Sequence, residues 1–125
     1  MIVKVEIVKG NDKRQNKLYI ATPINARPEQ TLKEKLFAAK QRIEMLKENL
    51  ANDIRFKDYE MISTFDLPHD DDCSEASAVG KCVTAVMESD AVYLDCGWEK
   101  SNGCRVEYRT AQIYGKQIYK YNELS

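Results

Sequence analysis

Strand-like and helix-like segments alternate along most of this chain, which predicts an α/β fold: a parallel sheet with helices on both faces. Three observations carry that prediction. Leu18–Ala21 and Ala91–Leu94 are short, continuously apolar runs, the pattern of strands buried on both sides. A long segment after Thr31 repeats apolar residues at helical spacing. Counted from Leu18, the order is β-α-β-α-β-α-β, and connections of that length suit parallel strands joined by right-handed crossovers.

The bulk numbers are compatible with one ordinary domain. At 125 residues, with 43% hydrophobic and 31% charged residues, the chain can bury roughly two thirds of its unfolded surface. A net charge of −1 argues against a general binder of nucleic-acid polymers or anionic membranes. No apolar run approaches the roughly 20 residues that span a bilayer. The opening residues alternate charged with apolar side chains and do not form a signal peptide, so a cytoplasmic location is expected. Cysteines 73, 82, 96 and 104 form no C-x-x-C pair and no zinc-ribbon spacing, which favours reduced thiols.

The elements follow in order. Ile2–Val8 places Val3, Val5 and Ile7 on one face, as in a half-buried edge strand added before the core of residues 17–121. Lys17–Ala21 reads as an interior strand, stopped by a loop that holds Pro23 and Pro28. Thr31 and Glu34 have capping-box spacing, although Pro28 could equally occupy a first-turn position and start the helix earlier. Leu32, Leu36, Ala39, Ile43, Leu46 and Leu50 trace one stripe expected to pack on the sheet. Residues 52–59 carry no clear pattern. Glu60–Phe65 reads as a third strand, and Asp66–Cys73 as a loop. Asp72 or Ser74 can cap a helix that runs to Glu88 and buries Val79, Val83, Val86 and Met87. The strand at 91–95 then enters a loop marked by Gly97 and the Ser101-Asn102-Gly103 group. Cys104 begins a helix that Gly115 ends, and Gln117–Tyr121 is the last strand.

In open parallel sheets, ligands sit beyond the carboxyl ends of the strands. Three loops converge there: Thr22–Arg27, Phe65–Cys73 and Cys96–Gly103. The last leads into a helix start, where free backbone N–H groups suit an anionic or polar ligand. Glu107 is expected in the first turn or so of that helix, held ionised by the dipole. His69 beside Asp70, Asp71 and Asp72 superficially resembles a metal site. Successive residues of an extended loop point apart and there is no second histidine, so neither a metal nor another cofactor is expected. Arg105 and Arg109 could attract phosphate, although helix-surface arginines are commonly solvated.

Two stretches resemble a known family. Leu18-Tyr-Ile-Ala-Thr-Pro-Ile24 is similar to the first-strand signature of small nucleoside 2-deoxyribosyltransferase-like proteins. Asp90-Ala-Val, followed by Gly97, Trp98, Ser101, Gly103 and Glu107, resembles their second signature, in the form G-W-x-x-S-x-G-x-x-x-E that marks an uncharacterised branch of small proteins. The resemblance covers roughly residues 17–121. It implies a flavodoxin-like fold and a nucleoside or nucleotide as small-molecule partner. It also implies a homodimer or larger homo-oligomer whose site a neighbouring subunit often completes. Glu107 matches the catalytic nucleophile that attacks the anomeric carbon, and Ser101 matches a contact to the 5′ end of the sugar or its phosphate. The ligand pocket would be lined by Tyr19, Thr22, Pro23 and Asn25 from the first signature, and by Gly97, Trp98, Ser101 and Gly103 from the second.

Each of these residues also has a simpler reading. Ser101 can be only a helix cap, and Trp98 can stack on a base or merely cover the sheet edge. Two departures from the family pattern stand out. Cys82 occupies the position of an aspartate found in relatives with activity, and Thr22 replaces a glycine. Two functions are therefore expected in parallel: hydrolysis or deoxyribosyl transfer at an N-glycosidic bond through Glu107, or nucleotide binding or sensing without turnover. A third reading, self-association through the edge strand Ile2–Val8, rests on that extension alone.

Overall fold

The computed structural model describes residues 16–24, 31–67 and 75–121. The expected strand Ile2–Val8, Asn25, the acidic loop around His69 and the candidate caps Asp72 and Ser74 lie outside the described residues. Within them is a four-stranded, all-parallel sheet in the order β2-β1-β3-β4, an α/β flavodoxin-like arrangement. The strands are β1 (Asn16–Ala21), β2 (Tyr59–Ile62), β3 (Ala91–Leu94) and β4 (Gln117–Lys120), and the helices are α1 (Leu32–Ala51), α2 (Glu75–Glu88) and α3 (Asn102–Ile113).

Strand order decides which helix covers which face. The chain moves from β1 outward to β2, then back across β1 to β3 and on to β4. Right-handed crossovers taken in opposite directions place their helices on opposite faces. The packing agrees. Leu18, Ile20, Ala91 and Tyr93 meet Ile43, Leu46 and Leu50 of α1. Tyr19, Ala21, Val92 and Leu94 meet Ala85 and Val86 of α2 and Cys104 and Ala111 of α3. Leu18–Ala21 and Ala91–Leu94 are all buried, as their unbroken apolar character predicts.

Helix boundaries have identifiable causes. Thr31 Oγ1 accepts from the Glu34 N–H while Glu34 Oε1 accepts from the Thr31 N–H, which completes the expected capping box. Gly115 adopts φ 66° and ends α3 in the left-handed conformation that glycine favours.

Several expectations are corrected. Only the carboxyl-terminal part of the α1 stripe is buried; Leu32 is 66% exposed and Leu36 lies at the surface. Met87 is also exposed, Val79 and Val83 are half-buried, and Ala85 joins Val86 in the core instead. The third strand ends at Ile62, and Thr64–Asp66 is a turn of 3-10 helix capped by Ser63. The unpatterned stretch after α1 contains a second short 3-10 helix, Ile54–Phe56. It buries Phe56 edge-on against Tyr119, with ring centroids 4.8 Å apart. A three-residue turn shows no periodicity, so sequence alone did not reveal it.

Where β3 leaves the sheet, Asp95 is buried and paired in bidentate fashion with Arg42 of α1. Arg42 Nε donates to Oδ2 at 3.0 Å and Nη2 to Oδ1 at 2.7 Å, and the Cys96 N–H also donates to Oδ1. The Asp95 N–H donates to the Ala21 carbonyl, so the ends of β1 and β3 are tied together. Arg42→Met leaves that carboxylate buried and unpaired. Because the guanidinium reaches solvent, we expect a loss of about 2 kcal/mol in a urea titration, between the surface and buried limits for such pairs. An unchanged unfolding midpoint would show that the pair is not structural.

Candidate functional site

The site grows out of the direction in which β1 and α3 present their side chains. Alternation along β1 points Tyr19 away from α1 and toward α3. On α3, Cys104, Glu107, Thr110 and Ala111 form the buried stripe. The two elements meet where the Tyr19 hydroxyl donates to Glu107 Oε2 at 2.7 Å, with Tyr19 1% and Glu107 6% exposed. Tyr19 fixes one carboxylate oxygen from below, and Glu107 lines a cavity above.

That cavity measures about 560 Å³ at the carboxyl rim of the sheet. Glu107, Cys82, Thr64 and Thr22 contribute to its wall, together with Ser101, Asn102 and Gly103 at the start of α3. Ile24, Leu32 and Val79 supply apolar surface, and Lys100 the only basic side chain among the described lining residues. The arrangement can hold a small, partly polar ligand against one carboxylate.

Glu107 lies deeper than its spacing suggested. α3 begins at Asn102, two residues earlier than expected, so Glu107 falls in the second turn and no acidic residue occupies the first. The expectation of a carboxylate held ionised by the helix terminus is therefore corrected. Burial pushes its pKa up to about 7, while hydrogen bonds from Tyr19 and Cys82 oppose the rise. Burial likewise raises the Cys82 thiol, whose Sγ lies 3.5 Å from Thr64 Oγ1, and it pushes Cys104 up to about 12. Both thiols stay protonated at neutral pH.

The loop before α3 is built by backbone geometry. Gly97 takes φ 85°, a left-handed conformation, and Trp98–Lys100 forms a turn of 3-10 helix. Ser101 then caps α3, its Oγ accepting from the Cys104 N–H at 3.3 Å, and it also lines the cavity. The first two N–H groups of α3, from Asn102 and Gly103, have no acceptor among the described residues. A Cβ at Gly103 would meet only Ser101 Oγ at 3.9 Å, so local packing does not demand a glycine there.

Of the sequence candidates, the cavity brings together Glu107, Thr22, Ser101 and Gly103, with Tyr19 beneath the carboxylate. It does not include Pro23, Gly97 or Trp98. Pro23 borders a separate cavity on the α1 face. Trp98 packs on Tyr108, with centroids 4.7 Å apart and Lys120 Nζ 5.8 Å above the indole, so it covers the outer side of α3. Arg105 and Arg109 share that outer groove, away from Glu107. Asn25 lies outside the described residues. Sequence reasoning did not bring Thr64 or Lys100 to the pocket, and it reached Cys82 only as the position of an aspartate in active relatives. Cys82 precedes buried Ala85 and Val86 by three and four residues on α2, a helical offset that could have placed it. Among the described residues, no group of three His, Cys, Asp or Glu side chains could hold a metal. No described helix is long and apolar enough to cross a membrane.

Fold and site together define a small α/β protein in which a buried carboxylate, held by a strand tyrosine, lines a cavity at the carboxyl rim of a parallel sheet. Residues 16–120 match the family described as a domain of unknown function (DUF4406), and the chain belongs to that family. No match was found among curated proteins, and none among solved structures.

The raised Glu107 pKa fixes a pH signature. Between about pH 4.5 and 7 the folded protein keeps a proton that the unfolded chain has released. Stability is therefore complete below that window, falls as pH rises through it and levels off above. Glu107→Gln removes this dependence and should raise stability at pH 8 by up to about 3 kcal/mol, with the gain vanishing near pH 4.5. Parallel pH profiles of thermal unfolding for wild type and variant would contradict the assignment.

Proposed function

We propose that this protein cleaves or transfers the N-glycosidic bond of a small nucleoside or nucleotide, with Glu107 as nucleophile. The observation that carries the reading is a buried carboxylate, the only one lining this cavity among the described residues, with one oxygen held by Tyr19 at 2.7 Å in a space of ligand size. The resemblance of the Tyr19 and Gly97–Glu107 stretches to nucleoside 2-deoxyribosyltransferase-like proteins supports the same assignment.

In this mechanism Glu107 Oε1, the oxygen not engaged by Tyr19, attacks the anomeric carbon. The C–N bond breaks, and its electron pair leaves with the base, which takes up a proton. Water, or a second base, then displaces the carboxylate from the glycosyl-enzyme. Tyr19 holds the carboxylate in position. Ser101 and the free N–H groups of Asn102 and Gly103 would receive the sugar or a 5′ substituent. The reading includes a cytoplasmic protein with reduced thiols, acting as a homodimer or larger homo-oligomer.

A second reading has its own supporting observation. Cys82 is the residue beside Glu107 where relatives with activity carry an aspartate, and burial keeps its thiol neutral. No other carboxylate lines the cavity among the described residues. A nucleotide-binding or sensing module with the same pocket follows if the leaving base requires that acid.

Base-release chromatography over a panel of nucleosides and 5′-nucleotides separates the two. The enzyme reading expects free base from wild type and none from Glu107→Ala. Only the ionised carboxylate attacks, so kcat/KM should rise with pH through about 7 and then level off. Tyr19→Phe removes a bond that favours the ionised form and should move that rise to higher pH. No product across the panel at high protein concentration, with ligand-dependent thermal stabilisation, leaves the binding module. No product and no stabilisation removes both readings.

A further inference from the structure

A second cavity, of about 390 Å³, lies on the α1 face of the sheet, at the same rim as the Glu107 cavity. Thr22, at the end of β1, lines both. Its Oγ1 is buried and has no hydrogen-bond partner among the described residues. The second cavity is the more basic of the two, with two cationic side chains where the first has only Lys100. Lys35 and Arg42 stand seven residues apart on α1, on one helix face, and both line it. Arg42 uses Nε and Nη2 on Asp95, which leaves Nη1 without a described acceptor. Lys35 is half-buried and has no acidic partner among the described residues. Asp95 also borders the cavity, but both of its oxygens are engaged by Arg42 and the Cys96 N–H. The described lining thus holds two cations against one satisfied carboxylate, a net charge of +1.

We propose that this cavity is an anion-binding subsite for a phosphoryl group, held by Lys35 Nζ and the free edge of the Arg42 guanidinium. The ammonium of a half-buried lysine and a fixed guanidinium edge together suit a compact dianion, which accepts charge-assisted hydrogen bonds from both. The Asp95 pair holds Arg42 rigid, so little side-chain freedom is lost when the anion arrives. The junction of β1 and β3, from which the chain departs to opposite sides, is also where open parallel sheets place ligands. This subsite lies across the Thr22 wall from Glu107 and does not depend on glycosidic chemistry there.

The probe is inorganic pyrophosphate, titrated by thermal shift and calorimetry at constant ionic strength. Pyrophosphate should stabilise wild type beyond a sodium chloride control, and Lys35→Gln should weaken its binding about tenfold, the loss of one charge-assisted hydrogen bond. The Lys35 side chain makes no hydrogen bond or ion pair among the described residues, so this variant keeps the Arg42–Asp95 pair. Glu107→Gln should bind pyrophosphate like wild type, which separates failure here from failure of the glycosidase reading. Stabilisation no greater than that of sodium chloride, or equal binding by wild type and Lys35→Gln, overturns the proposal. A nucleoside 5′-diphosphate distinguishes two sources of the anion. Weaker binding of it by Lys35→Gln makes the phosphoryl group the ligand's own, and a loss confined to pyrophosphate makes it a separate ion. Both results support the subsite.

Discussion

The buried Asp95–Arg42 pair governs how the chain turns at the rim. A parallel strand that ends in a long loop can leave the sheet in many directions, and here Asp95 removes that freedom. Its carboxylate is gripped by a helix on one face, while its own N–H reaches across to the end of β1. The Asp95 carbonyl accepts from the Trp98 N–H, and the left-handed Gly97 closes the turn between them. From there the route is short: one turn of 3-10 helix, the Ser101 cap and α3. An ion pair on the α1 face therefore sets where a helix begins on the opposite face. A fully buried carboxylate is costly unless its geometry is satisfied, and three donors meet that requirement here.

The placement of Glu107 follows from that helix start by simple periodicity. With α3 beginning at Asn102, residues 104, 107, 110 and 111 share the face that packs on the sheet. Three of the four are small or uncharged; the fourth is a carboxylate. An ionisable group in the middle of a core stripe breaks the local rule that the rest of the helix obeys, and such breaks are where function is to be sought. Tyr19 breaks the same rule on β1, as a hydroxyl in an otherwise apolar interior strand. The two exceptions meet each other.

Much of this was legible from residues alone. β1 and β3 declared themselves because strands covered on both sides cannot afford polar alternation. The caps at Thr31 and Ser101 and the stop at Gly115 were equally readable, since each solves a local backbone problem. The exposed start of α1 was not. Periodicity gives the phase of a stripe but not the extent of the surface beneath it. Twenty residues of helix run about 30 Å, whereas strands of four to six residues run only about 13–20 Å. The first turns of α1 therefore overhang the rim, and Leu32 lines the cavity instead of the core. Trp98 escaped for a related reason. Its loop position pointed to the rim, yet the 3-10 turn rotates the indole onto Tyr108 and beneath Lys120, a direction that no spacing rule encodes.

The protonation of Glu107 bears on what the cavity is suited to receive. Its two described polar neighbours, Tyr19 and Cys82, are both neutral and act as hydrogen-bond donors toward the ionised carboxylate. They oppose the desolvation of the carboxylate without cancelling it, and the group stays poised near neutrality. A ligand that develops positive charge beside Glu107 would supply the missing compensation and pull the pKa down as it does so. An anomeric carbon losing its base develops charge of that sign, so the site would interact more strongly with the transition state than with the ground state. A neighbouring aspartate would have raised the Glu107 pKa further by like-charge repulsion. With Cys82 in its place, the carboxylate ionises more readily, and on the proposed glycosidic reading the leaving base would lack that acid. On the glycosidic reading, that exchange favours good leaving groups over poor ones.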